Sequence, residues 1–283
     1  MSTQAVEPVI APGLHRGVPY DVYARWDAVN HSILRHFNRT AAHAREAIVN
    51  PSDQTEAQFL GHATHVAILE PDRFEAEFVA APKFDKRTTE GKKGWAAFQA
   101  EHADATCMPK EEHDLCLRLR ESVWAHPTAA ELLKGAGFNE ASAVWIDPGT
   151  GLRCKTRIDR LTSLAGWPVD VELKTTKDAS RAAFGRDINY YRYHQQGAMQ
   201  LDGLNALAPH ERKFVFVAVE KEPPYCVAVY ELEEDALQLG RDDYQKHLRM
   251  YAECLSTNRW PGYPDGIDYV SLPPWAFRSI HGE

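Results

Sequence analysis

Two neighbouring charged runs in the middle of the chain contain residue types that could carry out hydrolysis. Asp159 ends the first run, and Glu172 and Lys174 belong to the second. The dipeptide Ala165-Gly166 between them predicts a turn, so the runs are expected to form adjacent antiparallel strands. Because side chains alternate along a strand, Glu172 and Lys174 should share one face, while their apolar neighbours face the core.

A turn centred on that dipeptide would place Asp159 directly opposite Glu172, with Cβ atoms about 5 Å apart. Two carboxylates at this spacing repel each other unless a proton or a cation lies between them. A hard divalent ion such as Mg²⁺ prefers oxygen ligands. The pattern therefore indicates a divalent-metal site, with Lys174 beside it to orient or deprotonate a water. The alternative is a surface hairpin whose charges face solvent, because a slip of one residue would reverse the faces.

Two residues outside these strands could add ligands. His65 lies on a predicted helix over 55–69, one turn after Gly61, where the glycine would permit close approach of other groups. Glu140 directly precedes the first predicted strand. The spacing of His62 and His65 admits a different hypothesis, a zinc metallohydrolase, although no HExxH glutamate accompanies the pair.

Apolar periodicity and turn residues predict helices first and then a single sheet. The predicted helices cover 28–48, 55–69, 95–102, 109–134, 180–207 and 233–255, and the predicted strands cover 141–146, 152–161, 168–175, 214–219 and 225–232. This order predicts a mixed α/β (α+β) fold. We expect a loose N-terminal arm over 1–20 and one domain over 21–283, made of a helical part (21–138), a sheet core (139–232) and a C-terminal helix and tail (233–283).

The composition is that of a folded protein, with 283 residues, 44% of them hydrophobic and 25% charged. These values exclude a mostly disordered chain, a collagen and a disulfide-rich miniprotein. No apolar run approaches the ~20 residues of a membrane span, and residues 1–12 lack the features of a secretory signal. The expected location is the cytoplasm, without a membrane partner.

The net charge of -8, from 32 basic and 40 acidic residues, is not that of a simple nucleic-acid-coating protein. DNA binding would therefore need metal ions or a local basic patch. The candidates are Lys83, Lys86, Arg87, Lys92 and Lys93, with Lys155 and Arg157 nearer the carboxylates. The alternative for the 83–93 segment is a solvated loop.

The five cysteines form no CxxC pair. This spacing argues against a zinc or iron–sulfur site built from cysteine and favours reduced thiols that serve in packing.

Taken in chain order, these residues resemble the PD-(D/E)XK nuclease superfamily, in particular its RecE-like branch of exonucleases (exodeoxyribonuclease VIII type). The matching motifs are GxxxH at 61–65, Glu140, Arg-Ile-Asp at 157–159, (D/E)xK-Thr-Thr at 172–176, and Gln196 on a following helix. Similar segments at 69–74, 81–85 and 259–263 extend the resemblance over most of residues 20–276. The sequence departs from the pattern at Gln200, where an aromatic residue is expected.

The resemblance implies a central mixed sheet flanked by helices, an N-terminal helical region, and metal-dependent hydrolysis of phosphodiester bonds. The implied metal ligands are His65, Asp159, Glu172, the carbonyl of Leu173 and, for a second ion or its waters, Glu140. Lys174 is implied to position the attacking water, and Gln196 to hold Lys174, a water or the DNA backbone.

The resemblance also implies cofactors and partners. The expected ion is Mg²⁺, for which Mn²⁺ can substitute, and no iron–sulfur cluster is expected. The expected activity is a 5′–3′ exonuclease on linear double-stranded DNA ends, in a ring-like homo-oligomer. Its expected setting is phage-type homologous recombination, with a single-strand annealing protein as partner. Two alternatives stay open: a RecB- or Cas4-like nuclease on single strands or flaps, and an inactive fold that binds DNA ends.

Overall fold

The computed structural model describes residues 10–273, which contain a six-stranded sheet, a separate pair of short strands and flanking helices. The strands are β1 (Gly13–His15), β2 (Phe78–Ala81), β3 (Thr106–Pro109), β4 (Phe138–Ile146), β5 (Arg153–Leu164), β6 (Trp167–Thr176), β7 (Lys213–Glu220) and β8 (Val227–Glu231). The helices are α1 (Tyr20–Arg25), α2 (His31–Leu34), α3 (Ala41–Val49), α4 (Glu56–Leu69), α5 (Pro71–Glu77), α6 (Thr89–Glu101), α7 (Lys110–Ala125), α8 (Pro127–Lys134), α9 (Arg181–Tyr190), α10 (Tyr193–Leu207) and α11 (Glu234–Thr257), with a 3-10 turn at Arg35–Asn38.

The large sheet is mixed, which confirms the predicted fold class. Its strand order is β1-β4-β5-β6-β7-β8. β6 and β7 run parallel, and the other neighbouring pairs run antiparallel. The parallel pair is joined through α9 and α10, because a crossover between parallel strands needs a connection long enough to span the sheet.

The hairpin β5–β6 has the predicted register. Arg160 pairs with Val171, and Leu164 pairs with Trp167. Ala165 and Gly166 form the turn with φ values of 50° and 85°, a left-handed conformation that glycine adopts without strain. A slip of one residue would move Val171, which is 1% exposed, out of the core.

Both faces of the central strands are covered by helices. On one face, Val171 and Val217 pack with Leu119 of α7 and Leu132 of α8. On the other, Phe216 packs with residues from α9, α10 and α11, whose large buried members are Phe184, Met199 and Leu248. Strands buried on both faces explain the nearly continuous apolar run of β7. The charged face predicted for β6 therefore lies beneath helices rather than against open solvent.

Three predicted helices are broken by local capping and backbone geometry. The region 28–48 forms α2, the 3-10 turn and α3, because the side chains of Asn30 and Thr40 accept the backbone N–H groups of Ile33 and His43 and start new helices. The region 109–134 divides at Pro127, which begins α8. The region 180–207 divides at Arg192, whose φ is 60°.

The expected loose arm over 1–20 is wrong for residues 13–15. These form β1, and Leu14 pairs with Ala143 at the edge of the sheet. The edge of β4 offers backbone hydrogen-bonding groups, and pairing with them holds residues 13–15 in place. Residues 1–9 of the arm and 274–283 of the expected tail lie outside the described residues.

The basic 83–93 segment belongs to a small unit that is separate from the six-stranded sheet. The parallel strands β2 and β3 are joined by α6, and neither strand was predicted. Strands of four residues whose partner is distant in the chain leave little periodic signal. No residue of α6 is buried. Among residues 10–273, no helix has the length and apolar character needed to cross a membrane.

Candidate active site

Asp159 lies where the ladder between β5 and β6 ends. The regular pairs run from Leu164 back to Arg160. At Asp159 a side-chain hydrogen bond follows the backbone pairing: Oδ2 of Asp159 accepts the backbone N–H of Leu173 at 2.7 Å. Only 8% of Asp159 is exposed. The carboxylate therefore lies between the two strands, at the mouth where they separate.

Glu140 lies beside Asp159 on the neighbouring strand β4. It is flanked by the pairs Asn139–Arg160 and Ala141–Ile158, and its φ of 52° is unusual for a residue with a side chain. That conformation costs on the order of 1–2 kcal/mol. Strain kept inside an otherwise regular strand is typical of functional positions. The sequence contains no signal for this backbone conformation, because a glutamate at this position does not by itself require a positive φ.

Helix α4 brings His65 to the same point. The helix begins with a capping box in which Thr55 and Gln58 exchange hydrogen bonds. The Nδ1 atom of His65 lies 3.4 Å from Oδ2 of Asp159. A Cβ at Gly61 would meet Thr175 Oγ1 at 3.9 Å, an ordinary contact, so no group makes the close approach that the glycine would permit.

His65, Glu140 and Asp159 form a cluster that could hold a metal ion. One ligand atom from each residue lies within 4.8 Å of the others. One imidazole nitrogen and two carboxylates suit a divalent cation that prefers oxygen ligands. His62 is not part of this cluster; its ring lies near Tyr20 and Phe78 at 6.2 and 6.3 Å. The geometry thus favours the carboxylate site over the HxxH hypothesis.

Glu172 is occupied by other partners. Its Oε1 accepts hydrogen bonds from Lys174 Nζ and Gln196 Nε2, both at 2.6 Å. Its Oε2 accepts Gln200 Nε2 at 3.2 Å. Glu172 therefore lies next to the cluster of His65, Glu140 and Asp159 with its carboxylate directed into an amide and ammonium cage. Metal ligation by Glu172 and by the Leu173 carbonyl stays a prediction.

Burial and mutual repulsion raise the pKa of two of the three carboxylates of the site. Burial raises the pKa of Glu140, and the charge of Asp159 raises it further. Burial also raises the pKa of Glu172, and Asp159 adds to this effect against the opposing charge of Lys174. Burial acts upward on the pKa of Asp159 too, but the charge and hydrogen bond of His65, the charge of Lys174 and the N–H of Leu173 together outweigh it, and the net shift is downward. A divalent cation would relieve this repulsion, so these residues fit one.

Lys174 is held as an ammonium group. Burial is the largest influence and acts to lower its pKa, but the charge of Glu172, the groups of Tyr193 and Asp159 and the hydrogen bond to Glu172 together outweigh burial, so the pKa is raised. Its Nζ also lies 3.3 Å from Gln196 Oε1 and 4.5 Å from the ring centre of Tyr193. With a pKa raised in this way, Lys174 is suited to orient a water and stabilise negative charge, and poorly suited to remove a proton.

Two basic residues near the carboxylates have structural partners. Lys155 is 3% exposed, and its Nζ donates to the carbonyls of Tyr23, Ala24 and Trp26 at the end of α1. It is therefore not available to DNA, and that prediction is wrong. Arg157 donates to Glu140 Oε2 at 2.5 Å and to the carbonyl of Val18 at 2.8 Å. The position of Arg157 beside Glu140 is better suited to orienting that carboxylate than to contacting DNA.

The five basic residues of the 83–93 segment are all exposed. Lys86 lies with Nζ 3.6 Å from the ring centre of Trp95, and Arg87 pairs with Asp85 at 3.1 Å. Lys92 and Lys93 project from the first turns of α6. Their role in binding DNA stays a prediction.

Two members of the site were not predicted. Gln200, which stands where an aromatic residue was expected, donates to Glu172 and to the carbonyl of Arg157. Tyr193 covers the ammonium of Lys174. Helical spacing could have found both, because 193, 196 and 200 lie on one face of α10. That face packs on the charged side of β6.

The strand hairpin, the carboxylates and the Glu-x-Lys segment define a PDDEXK-like domain. The family described as "PDDEXK-like domain of unknown function (DUF3799)" matches residues 30–273. The chain therefore belongs to this family. No curated protein matches the sequence.

Solved structures with a similar fold include a "Putative exonuclease" from Eubacterium rectale. The two chains share 11% identity, with a TM-score of 0.57 over 95% of this chain and 100% of the other. At this identity the likeness concerns the fold. A protein from Vibrio cholerae matches 80% of this chain and 58% of its own, with 11% identity and a TM-score of 0.24, too low to support an argument.

Proposed function

We propose that the protein is a deoxyribonuclease that hydrolyses phosphodiester bonds with the help of a divalent metal ion. The observation that carries this proposal is the cluster of His65, Glu140 and Asp159, whose ligand atoms lie within 4.8 Å of one another beside the half-buried Lys174. Membership of a PDDEXK-like family supports it. The proposed ion is Mg²⁺, with Mn²⁺ as a substitute.

Each residue has a role that follows from its contacts. His65, Glu140 and Asp159 would hold the ion, with Glu172 and the Leu173 carbonyl as further candidates. A bound divalent ion would supply positive charge to the phosphate and lower the pKa of a water. Lys174 would orient the attacking water and stabilise charge as it develops on the phosphate oxygens. Gln196 and Gln200 would keep Glu172 and Lys174 in position through their amide groups.

The finer proposal is a RecE-like exonuclease that acts 5′–3′ on linear double-stranded DNA ends. It rests on the motifs in the sequence; the name of the Eubacterium rectale protein supports exonuclease activity alone. The same resemblance underlies the proposals of a ring-like homo-oligomer, a cytoplasmic location, and phage-type recombination with a single-strand annealing partner. A RecB- or Cas4-like nuclease on single strands or flaps is the alternative substrate class.

One observation favours a second function, an inactive module that binds DNA ends. Glu172 accepts three hydrogen bonds from Lys174, Gln196 and Gln200, an arrangement that satisfies its carboxylate without a metal ion. In this case the fold would recognise DNA without cleaving it.

A cleavage assay separates these functions. Purified protein is incubated with labelled linear duplex, nicked and single-stranded DNA in Mg²⁺, in Mn²⁺ and with chelator. The nuclease proposal requires metal-dependent products that disappear in the Asp159→Asn variant. Binding of DNA without products in either ion would select the inactive module, and products from single strands alone would select the RecB- or Cas4-like activity.

A further inference from the structure

Three tyrosines form a continuous path from the candidate site to the surface. α9 ends at Tyr190 and α10 begins at Tyr193. The ring of Tyr193 lies 4.5 Å from Lys174 Nζ. Tyr191 stacks on Tyr193 with ring centres 5.4 Å apart and planes at 22°, and Tyr190 meets Tyr191 edge-on at 4.9 Å.

The outer two rings have little role in the core. Tyr193 packs against Phe184 and Phe216 and is half-buried. By contrast, Tyr190 is 78% exposed and Tyr191 is 45% exposed. Adjacent aromatic rings that stay in water are costly to solvate and are typical of binding surfaces.

The junction that carries these rings is held in one conformation. The backbone N–H of Tyr191 donates to the carbonyl of Asp187 at 2.9 Å, and the carbonyl of Arg192 accepts the N–H of Gln196 at 3.1 Å. The guanidinium of Arg192 lies 3.5 Å from Asp243 of α11. The rings are therefore presented by an ordered turn, which lowers the entropy lost when a ligand binds.

We propose that Tyr190 and Tyr191 form a stacking platform for the bases of an unpaired DNA strand that reaches the candidate site. This inference rests on the proposed function, because the path of rings begins at Lys174. Stacking on aromatic side chains is the usual way in which proteins hold single-stranded nucleic acid, and it tolerates any base. Arg186, exposed one helical turn before Tyr190, is available to a neighbouring phosphate.

The proposed platform requires a substrate with unpaired bases. Bases inside a duplex are covered by the neighbouring base pairs, so aromatic side chains stack on bases that are unpaired. A strand held by Tyr190 and Tyr191 would therefore be separated from its complement close to the site of cleavage.

The experiment measures base-dependent binding without turnover. Two fluorescent oligonucleotides of twelve nucleotides are compared by anisotropy in chelator at low salt, one of thymidines and one abasic with the same phosphates. The wild-type protein should bind the thymidine strand about tenfold more tightly than the abasic strand. The double variant Tyr190→Ala/Tyr191→Ala should bind the two strands equally.

Two control variants keep the result interpretable. Tyr190→Phe/Tyr191→Phe keeps the rings and should retain the wild-type preference for bases. Tyr269→Ala removes a fully exposed tyrosine elsewhere and should also retain it. Equal binding of both strands by the wild type, or loss of the preference in Tyr269→Ala, would overturn the platform.

Failure of the platform and failure of the nuclease proposal give different results. If the preference for bases is present and depends on the two rings, while no DNA is cleaved in Mg²⁺ or Mn²⁺, the platform stands and the nuclease proposal fails. If DNA is cleaved but the wild type does not distinguish the two oligonucleotides, the platform fails and the nuclease proposal stands.

Discussion

The mouth of the β5–β6 hairpin and the 83–93 segment are both rich in charge, but the charges are largely buried at the hairpin and exposed in the segment. At the hairpin, Asp159, Glu172 and Lys174 are largely buried, and each has a defined partner. In the 83–93 segment the basic side chains are exposed, on a unit whose helix α6 contributes no buried residue. Charge density along the chain therefore does not distinguish buried, partnered charges from exposed ones.

The physical difference between the two regions is solvation. Buried charges interact in a medium of low effective dielectric, so the loss of one partner leaves another group unsatisfied. Exposed charges are screened by water and salt, and each contributes little and nearly independently. Single substitutions should therefore have large, coupled effects at the hairpin and small, additive, salt-dependent effects in the 83–93 segment.

The largest effect is expected for Lys174→Ala. Loss of the ammonium should lower the cleavage rate by about 10²–10³-fold, because it removes charge stabilisation in the transition state. It also leaves Glu172 buried without its cation, so the free energy of unfolding should fall by about 3 kcal/mol. Rates are measured on labelled DNA, and stability by urea denaturation.

The double variant Lys174→Ala/Glu172→Gln is the control for this stability effect. Removing both charges should recover much of the lost free energy of unfolding while the rate stays low. A Lys174→Ala variant that keeps both its rate and its stability would mean that Lys174 contributes to neither.

A second prediction separates metal binding from the chemical step. His65→Ala removes a nitrogen ligand and should weaken Mn²⁺ binding about tenfold or more. Asp159→Asn should weaken it further, because it removes a negative charge and alters the acceptor for the Leu173 N–H. Titration calorimetry with Mn²⁺ measures both affinities.

Excess Mn²⁺ should partly restore the rate of His65→Ala. Unchanged Mn²⁺ affinity in this variant would exclude His65 as a ligand and leave its contact with Asp159 as its role.

A smaller effect is expected for Gln196→Ala. The amide of Gln196 contacts both Glu172 and Lys174, so its loss should lower the rate about tenfold while Mn²⁺ affinity changes little. Gln238→Ala, on the exposed side of α11, is the matched control and should behave as wild type. A fall in Mn²⁺ affinity as large as the fall in rate would place Gln196 at the metal ion instead.

The smallest effect is expected for Lys92→Ala/Lys93→Ala. Duplex affinity should fall severalfold, and the slope of log K against log salt should flatten by about one for each phosphate that no longer has a lysine beside it. The cleavage rate at saturating DNA should not change. Lys246→Ala removes an exposed lysine from α11 and should leave the salt dependence intact. An unchanged slope in the double variant would mean that Lys92 and Lys93 are solvated and do not contact DNA phosphates.

The sequence alone was sufficient to predict the mixed fold, the hairpin and its register. Alternation of apolar residues around Glu172 and the turn at Ala165-Gly166 are local signals, and burial of Val171 allows one register. The resemblance to the PD-(D/E)XK motifs also singled out His65, Glu140 and Asp159, which the fold brings together from three separate elements.

Other features depend on long-range packing and could not be predicted from spacing. Lys155 is buried because α1 ends over it and offers three carbonyls. Glu172 is turned toward Gln196 and Gln200 because the fold brings one face of α10 to it; spacing groups the two amides on that face but does not show which strand the face meets. Which partner a charged side chain takes is decided by burial and by the elements that cover it, since desolvation makes an unpaired buried charge costly and the sequence does not state which partner lies within reach.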